Sequence, residues 1–498
     1  MSLLKKLAGD TVVYGLSSIL SRVLNFVILV PYLTNAFSRK EYGVVTEMYA
    51  YIALLMVIFT YRMETTFFRF ASREKEQGKS FSTASSSLLL TTLIFGGLLI
   101  LSAQSIANLL HYPDHKDYVI WIILIVIFDT MSAIPLAKLR LENRPIRFAS
   151  IKVISIIVNI IAIFFFLEVC PQLVSKGWEG LKVIYKSDDR IAYIFIANFL
   201  ASGVVLLILL PEYLKTRLRF DWVLWKKMLR YAGPLIIVGL TGVINQLISQ
   251  PLLKLLLPYD LERNTEMVGV YGACFKIAIL MSLFIQAFNY AAEPFFFNQA
   301  KRSDSREIYA QVGQAFALVG SLVFLGIMLY IDVVQYLIGK DFREGLTVVP
   351  ILLLAFFFLG LYYNFSIWYK LNDRTIFGAY ISVIGAVITL TLNFWLIPQI
   401  GYSGAAWASF ACYAFMAIAS YGTGQYYYPI QYPVKRMISY IFLAIGAYFV
   451  SISLRSYLSE NLLYILSFNT GILLLFLGAI YQLEKTNIQR VFFQSRKP

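Results

Sequence analysis

Leu88-Leu-Leu-Thr-Thr-Leu-Ile-Phe-Gly-Gly-Leu-Leu-Ile-Leu101 and Ile120-Trp-Ile-Ile-Leu-Ile-Val-Ile-Phe128 decide the fold class of this chain. Neither carries a charge, and neither alternates apolar with polar residues. In lipid only helices and closed barrels satisfy every backbone N–H and C=O, and barrel strands alternate, so continuous apolar blocks mean helices. The rest of the chain agrees: 59% of its 498 residues are hydrophobic and 14% are charged. A soluble domain carries about 25% charged residues to coat itself against water.

A helix needs about 20 residues to cross the hydrocarbon. On that scale the chain is all-α and polytopic, with about fourteen expected spans at 11–37, 43–68, 82–105, 118–138, 148–168, 191–213, 232–257, 268–297, 307–331, 346–369, 375–397, 402–426, 436–454 and 461–483. Lys5 and Lys6 before an apolar stretch resemble a signal peptide, but the stretch to Phe37 is too long for a signal h-region and reads as the first span.

The net charge of +15 resides in the loops between spans. With both ends placed in the cytoplasm, the cytoplasmic segments hold 28 Lys or Arg and the outer ones 11. That asymmetry is membrane topology rather than nucleic-acid binding. Cys170, Cys274 and Cys412 are far apart, so no disulfide framework or metal cluster is expected from them. The longest outer loop, 168–190, is the size of a short lid or re-entrant element.

A faint repeat runs through the chain. Asn25 and Pro31 in span 1 match Asn245 and Pro251 in span 7, and Tyr42-Gly-Val44 matches Val268-Gly-Val270 at the next span. Spans 1 and 7 run the same way, so the repeat implies two six-helix lobes related by an axis along the membrane normal, around a central cavity. The expected division is an N-lobe at 1–214, a basic linker at 215–231, a C-lobe at 232–430, and two extra C-terminal helices with a tail at 431–498.

Charges inside spans cost several kcal/mol unless they face protein or water. Arg22 and Asp129 lie near the middle of spans 1 and 4. They either form a structural pair or line the cavity. Glu47 and Lys276 lie in the outer parts of spans 2 and 8, Lys254 at the outer end of span 7, and Arg62, Glu64 and Glu293 toward cytoplasmic ends. Arg62, Glu64 and Lys254 can equally snorkel to the interface, and Glu293 before Pro294 can serve a kink. Ser18, Arg22 and Asn25 share one helix face, as do Gln286, Asn289 and Glu293. Thr241, Asn245, Gln246, Ser249 and Gln250 form a polar stripe on span 7 that fits a cavity or an interlobe seam.

Enzyme signatures are absent: no GxGxxG, Walker A or nucleophile elbow occurs, so no cofactor is expected. His111-Tyr-Pro-Asp-His115 has the spacing of a helical metal pair, but Pro113 breaks that geometry, and no metal site is expected there.

Several phrases resemble one family. They are Thr11-Val-Val-Tyr-Gly-Leu-Ser-Ser-Ile-Leu-Ser-Arg22 leading to Glu41-Tyr-Gly43, the loop Leu139-Arg-Leu-Glu-Asn-Arg-Pro145, Tyr271-Gly-Ala-Cys-Phe-Lys276, Gln286-Ala-Phe288, Ala292-Glu-Pro294 and Tyr402-Ser-Gly-Ala-Ala-Trp407. With these the chain resembles the polysaccharide transport (Wzx-type) flippases of the multidrug/oligosaccharidyl-lipid/polysaccharide exporter superfamily. The resemblance implies a monomeric protein of the bacterial inner membrane that moves undecaprenyl-diphosphate-linked oligosaccharide outward by alternating access, with H+ or Na+ as the coupling ion. It implies a cationic cavity, in which Arg22 and Lys276 contact the substrate and Arg62 and Lys254 are weaker candidates. Asn25, Asn245, Gln246, Gln286 and Asn289 would add polar lining, and Asp129, Glu47 and Glu293 would serve ion coupling or partner the cations. The alternatives are a lipid II flippase, a multidrug/cation antiporter of the same superfamily, and an O-antigen polymerase or lipid-dependent glycosyltransferase.

Overall fold

The computed structural model describes residues 20, 23–73, 77–183, 185, 189–216, 219–300, 302–372, 374–455 and 461–494. Among them the fold is all-helical, with no strand. Thirteen helices are long and apolar enough to cross a membrane, and a shorter apolar helix, Asn25–Ala36, precedes them. That helix is span 1. Spans 2 to 8 are Arg39–Ala71, Gln77–Leu101, Lys116–Leu141, Pro145–Ser175, Arg190–Leu214, Trp222–Leu247 and Leu261–Glu293. Spans 9 to 14 are Ser305–Leu329, Lys340–Leu371, Ile376–Ile400, Tyr402–Tyr427, Val434–Arg455 and Leu462–Lys485. The order and number follow the sequence reading, although much of the expected first half of span 1 lies outside the described residues.

Three spans are less regular than their apolar pattern suggests. Span 2 breaks at Tyr61 and Arg62, both left-handed at φ 33° and 55°. Neither is glycine, so each costs about 1–3 kcal/mol that the surroundings must offset. Span 5 carries a π-helical turn at Phe165–Val169 and runs on to Ser175, taking in part of the expected loop. The expected span 232–257 divides at Ile248 into span 7 and a short helix, Ser249–Leu256. Pro251 supplies no N–H to the carbonyl four residues earlier, which is that of Leu247, where span 7 ends. Span 8 belongs to a helix of 39 residues, Leu261–Gln299, longer than a crossing needs.

Contacts group the chain into two units, 1–273 with 378–408, and 274–377 with 409–498. The first is cored by Val44, Met48, Ile52 and Phe59 of span 2 against Tyr118, Ile122 and Ile125 of span 4 and Phe195 of span 6. At the opposite ends of spans 4 to 6, buried Glu212 accepts from Lys138 Nζ and Arg147 Nη1, each at 2.8 Å. Glu212→Ala would leave two cations facing each other in a partly dry site. It is expected to cost about 2–3 kcal/mol, read as a lowered melting temperature in detergent.

In the second unit Phe284, Phe316 and Phe357 stack along spans 8, 9 and 10. Polar staples fasten the two C-terminal spans to span 9 and to the turn of helix, Ile331–Val334, that follows it. Gln314 donates to Tyr440 Oη (2.7 Å) and Glu484 Oε1 (3.0 Å), Asn469 donates to the Leu329 carbonyl (2.6 Å), and Arg455 pairs with Asp332 (2.7 Å).

Candidate functional site

The repeat phrases meet. Ser38 caps span 2 in a reciprocal box with Glu41. One turn later Gly43 lies so close to span 8 that a Cβ would stand 2.0 Å from the Thr265 carbonyl oxygen. Gly269, its repeat counterpart, would place a Cβ 2.1 Å from the Arg39 carbonyl oxygen. Each glycine thus faces the carbonyl four residues before the other, the signature of a local two-fold crossing. Gly272 is also tight, since a Cβ there would stand 2.5 Å from the Thr46 side chain. Lys40 and Glu262 pair at 3.0 Å on the exposed rim. Gly43→Ala and Gly269→Ala are each expected to destabilise by about 1–3 kcal/mol or more, since backbone atoms must move. Gly242→Ala, where nothing lies within 4 Å, should leave the melting temperature of the purified protein in place.

A buried ion pair sits one turn below this crossing. Lys254 Nζ lies 3.0 Å from Glu47 Oε2, with side chains only 1% and 2% exposed. Every polar atom of the pair is engaged. Glu47 also accepts from Tyr112 Oη (2.6 Å) and Tyr51 Oη (3.0 Å). Lys254 also donates to the Leu110 carbonyl (2.6 Å) and stands 3.6 Å above the Tyr112 ring. Burial and the Glu47 carboxylate push the Tyr112 phenol up, so it stays a donor. Asn264 holds the helix that carries Lys254 by donating to the carbonyls of Lys254 and Leu257. The site therefore joins span 2, the 110–112 connection, the short helix after span 7 and the start of span 8.

Further along the same seam, Arg62 lies against span 7. A Cβ on Gly239 would come within 2.4 Å of its Nε, and Glu64 stands 3.9 Å from its guanidinium. Left-handed Tyr61 and Arg62 direct this contact.

The other candidate residues are scattered. Arg22 lies outside the described residues. Asn25 is exposed, and Gln246 and Asn289 are half-buried. Asn245 does not face open space: it is buried against span 11, donating to the Ser382 carbonyl and accepting from Thr389, while Thr241 meets the Ser382 hydroxyl. Gln286 donates to Ser282 on its own helix (3.1 Å). Glu293 is exposed and pairs with Lys370 at 2.9 Å. Asp129 is half-buried beside the Ser202 hydroxyl, near Tyr49, which accepts from Asn198. Lys276 is half-buried, and no described residue gives it an ion pair or hydrogen bond. Tyr51 and Tyr112 were not singled out in the sequence. Tyr51 at four residues from Glu47 was a usable signal, whereas Tyr112 comes from a connection 65 residues away.

Comparison with known proteins gives a consistent picture. The family model described as polysaccharide biosynthesis protein matches residues 7–300. Curated protein sequences give no match. Among solved structures, the lipid II flippase MurJ in an inward closed conformation superposes with a TM-score of 0.73 at 14% identity, covering 95% of this chain and 99% of that one. A MATE multidrug transporter, DinF-BH, gives 0.60 at 15% identity, covering 86% and 97%. An inward-facing multidrug resistance MATE family transporter of the MOP superfamily gives 0.58 at 13% identity, covering 86% and 95%. The chain belongs to the polysaccharide biosynthesis protein family and has the fold of the multidrug/oligosaccharidyl-lipid/polysaccharide exporter superfamily.

Proposed function

We propose that this protein is a flippase that moves undecaprenyl-diphosphate-linked oligosaccharide units from the cytoplasmic to the outer leaflet of the bacterial inner membrane. The family match over residues 7–300 carries this reading. In this proposal two lobes, 1–214 and 232–430, joined by the basic 215–231 linker, alternate access to a central cavity, and residues 431–498 form an appendage. Both termini are cytoplasmic, the chain works as a monomer, and H+ or Na+ supplies the driving gradient. Arg22 and Lys276 contact the diphosphate, with Arg62 beside the seam of spans 2 and 7. Asp129 is the acid placed for ion coupling, away from the paired carboxylates Glu47 and Glu293.

On this assignment Glu47 belongs to the first lobe and Lys254 to the second, so their pair acts as an outer closure rather than as a substrate site. A lipid II flippase is the second reading, supported by the TM-score of 0.73 to MurJ. The test uses purified protein in liposomes given fluorescent undecaprenyl-diphosphate oligosaccharide or lipid II, with and without a proton or sodium gradient. Protein-dependent movement of the oligosaccharide lipid supports the proposal. Movement of lipid II alone selects the second reading, and exchange of a cationic drug with neither lipid moving sinks both.

A further inference from the structure

The sequence argues against a metal pair at His111 and His115, yet the fold brings other ligands to His115. Asp117, at the start of span 4, and Asp189, just before span 6, place carboxylate oxygens so that one ligand atom from each of the three residues lies within 4.8 Å of the others. His115 Nδ1 stands 4.0 Å from Asp189 Oδ2. The two carboxyls are close enough to share a hydrogen bond.

The scaffold around them is ordered by its own contacts. The buried hydroxyl of Tyr118 donates to Asp189 Oδ1 at 2.7 Å, leaving Oδ2 to face His115. The His115 ring stacks on the Tyr118 ring at 4.4 Å and 9°. A hydrogen bond that orients a carboxylate from behind is the usual support for a ligating oxygen. A cavity of about 360 Å³, lined by His115, His111, Asp114, Tyr112 and Lys40 among others, opens alongside and gives an ion a route in.

We propose that His115, Asp117 and Asp189 form a binding site for a divalent transition-metal ion. One imidazole and two carboxylates suit Zn2+, whereas a set of oxygens alone would suit Mg2+ or Ca2+. Ligand bonds of about 2.0–2.2 Å put tetrahedral ligands roughly 3.3 Å apart, so the side chains close by about an ångström or so as the ion enters. A fourth position stays open to water from the cavity. The bound ion would tie the connection carrying Tyr112 to the start of span 6, and so help hold Tyr112 over the Lys254–Glu47 pair. The site does not depend on the transport reading.

The test is calorimetric titration of the purified full-length protein in detergent with Zn2+ in the presence of millimolar Mg2+, beside His115→Ala and Asp117→Asn. Both variants should melt like the wild type without metal, since neither side chain hydrogen-bonds Tyr118 and the His115 carbonyl that accepts from the Tyr118 N–H survives in the alanine variant. The expected result is about one Zn2+ per chain, at least tenfold weaker in each variant, with a metal-induced rise in melting temperature that only the wild type shows. No saturable Zn2+ binding to the wild type, or binding equally tight in both variants, overturns the site.

Discussion

Glu47→Ala is expected to destabilise the protein by about 3–5 kcal/mol and to release the seam around spans 2, 7 and 8. The magnitude follows from what the substitution leaves behind. Lys254 is 1% exposed, and without Glu47 its ammonium keeps only the Leu110 carbonyl and the face of Tyr112. An uncompensated buried charge costs far more than the pair contributes. Lys254→Ala should be milder, about 1–3 kcal/mol, because Glu47 retains the hydroxyls of Tyr51 and Tyr112 as donors to both carboxylate oxygens. The double variant Glu47→Leu/Lys254→Met should recover the wild-type melting temperature, since well-packed apolar residues often replace a buried ion pair without loss.

Transport should separate from stability in that double variant. A buried ion pair is close to balanced: what it gains in contact it gives back in lost hydration, so water can reclaim both charges when the seam opens. An apolar pair resists wetting and biases the seam shut. The expected result is a double variant that melts like the wild type and flips lipid more slowly. Thermal melts and liposome transport of the three variants check this together. Single variants that melt with the wild type would show that the pair does not hold the seam.

The sequence made the helical scaffold readable because apolar blocks and basic loops are local signals. Spans 2 to 14 match expected elements, and even the break after span 7 had a visible cause in Pro251. The break in span 2 had none: Tyr61 and Arg62 are neither glycine nor proline, and the Tyr61 hydroxyl that meets Ser87 pairs across 26 residues, beyond the reach of a local signal. Depth in the span flagged Glu47 and Lys254 separately, but their meeting across 207 residues depends on how helices cross. The phrases around Gly43 and Gly269 were visible as a repeat. That each glycine is required by the other's helix emerged only from the packing. Likewise the polar stripe of Asn245 fits either a cavity or an interlobe seam, because such a stripe marks a face that avoids lipid without saying whether water or protein covers it; the packing sets Asn245 against Ser382 and Thr389 of span 11.

Lys276→Ala is expected to slow lipid transport at limiting substrate about tenfold to a hundredfold while leaving insertion and melting temperature intact. The contrast with Lys254 is the reason. Lys254 has a carboxylate, a carbonyl and an aromatic face, so its charge is consumed by the fold. Lys276 has no ion pair or hydrogen bond among the described residues, although it lies well inside the longest helix. A cation held inside a membrane span at a cost of several kcal/mol, with no counter-ion among the described residues, points to one that arrives with the substrate; on the proposed function a diphosphate would supply it. Removing such a charge relieves the resting protein, so stability holds or rises while the anionic headgroup loses a contact of about 1.5–3 kcal/mol, a tenfold to hundredfold weaker capture. Lys276→Arg keeps the charge and should retain part of the transport, whereas Lys276→Gln should behave as the alanine variant does. Arg22→Ala, tested beside it, should have the same effect on transport if both grip one diphosphate. Wild-type rates in the alanine variants would remove both residues from the substrate site and leave the seam at Arg62 as the place to look for the headgroup.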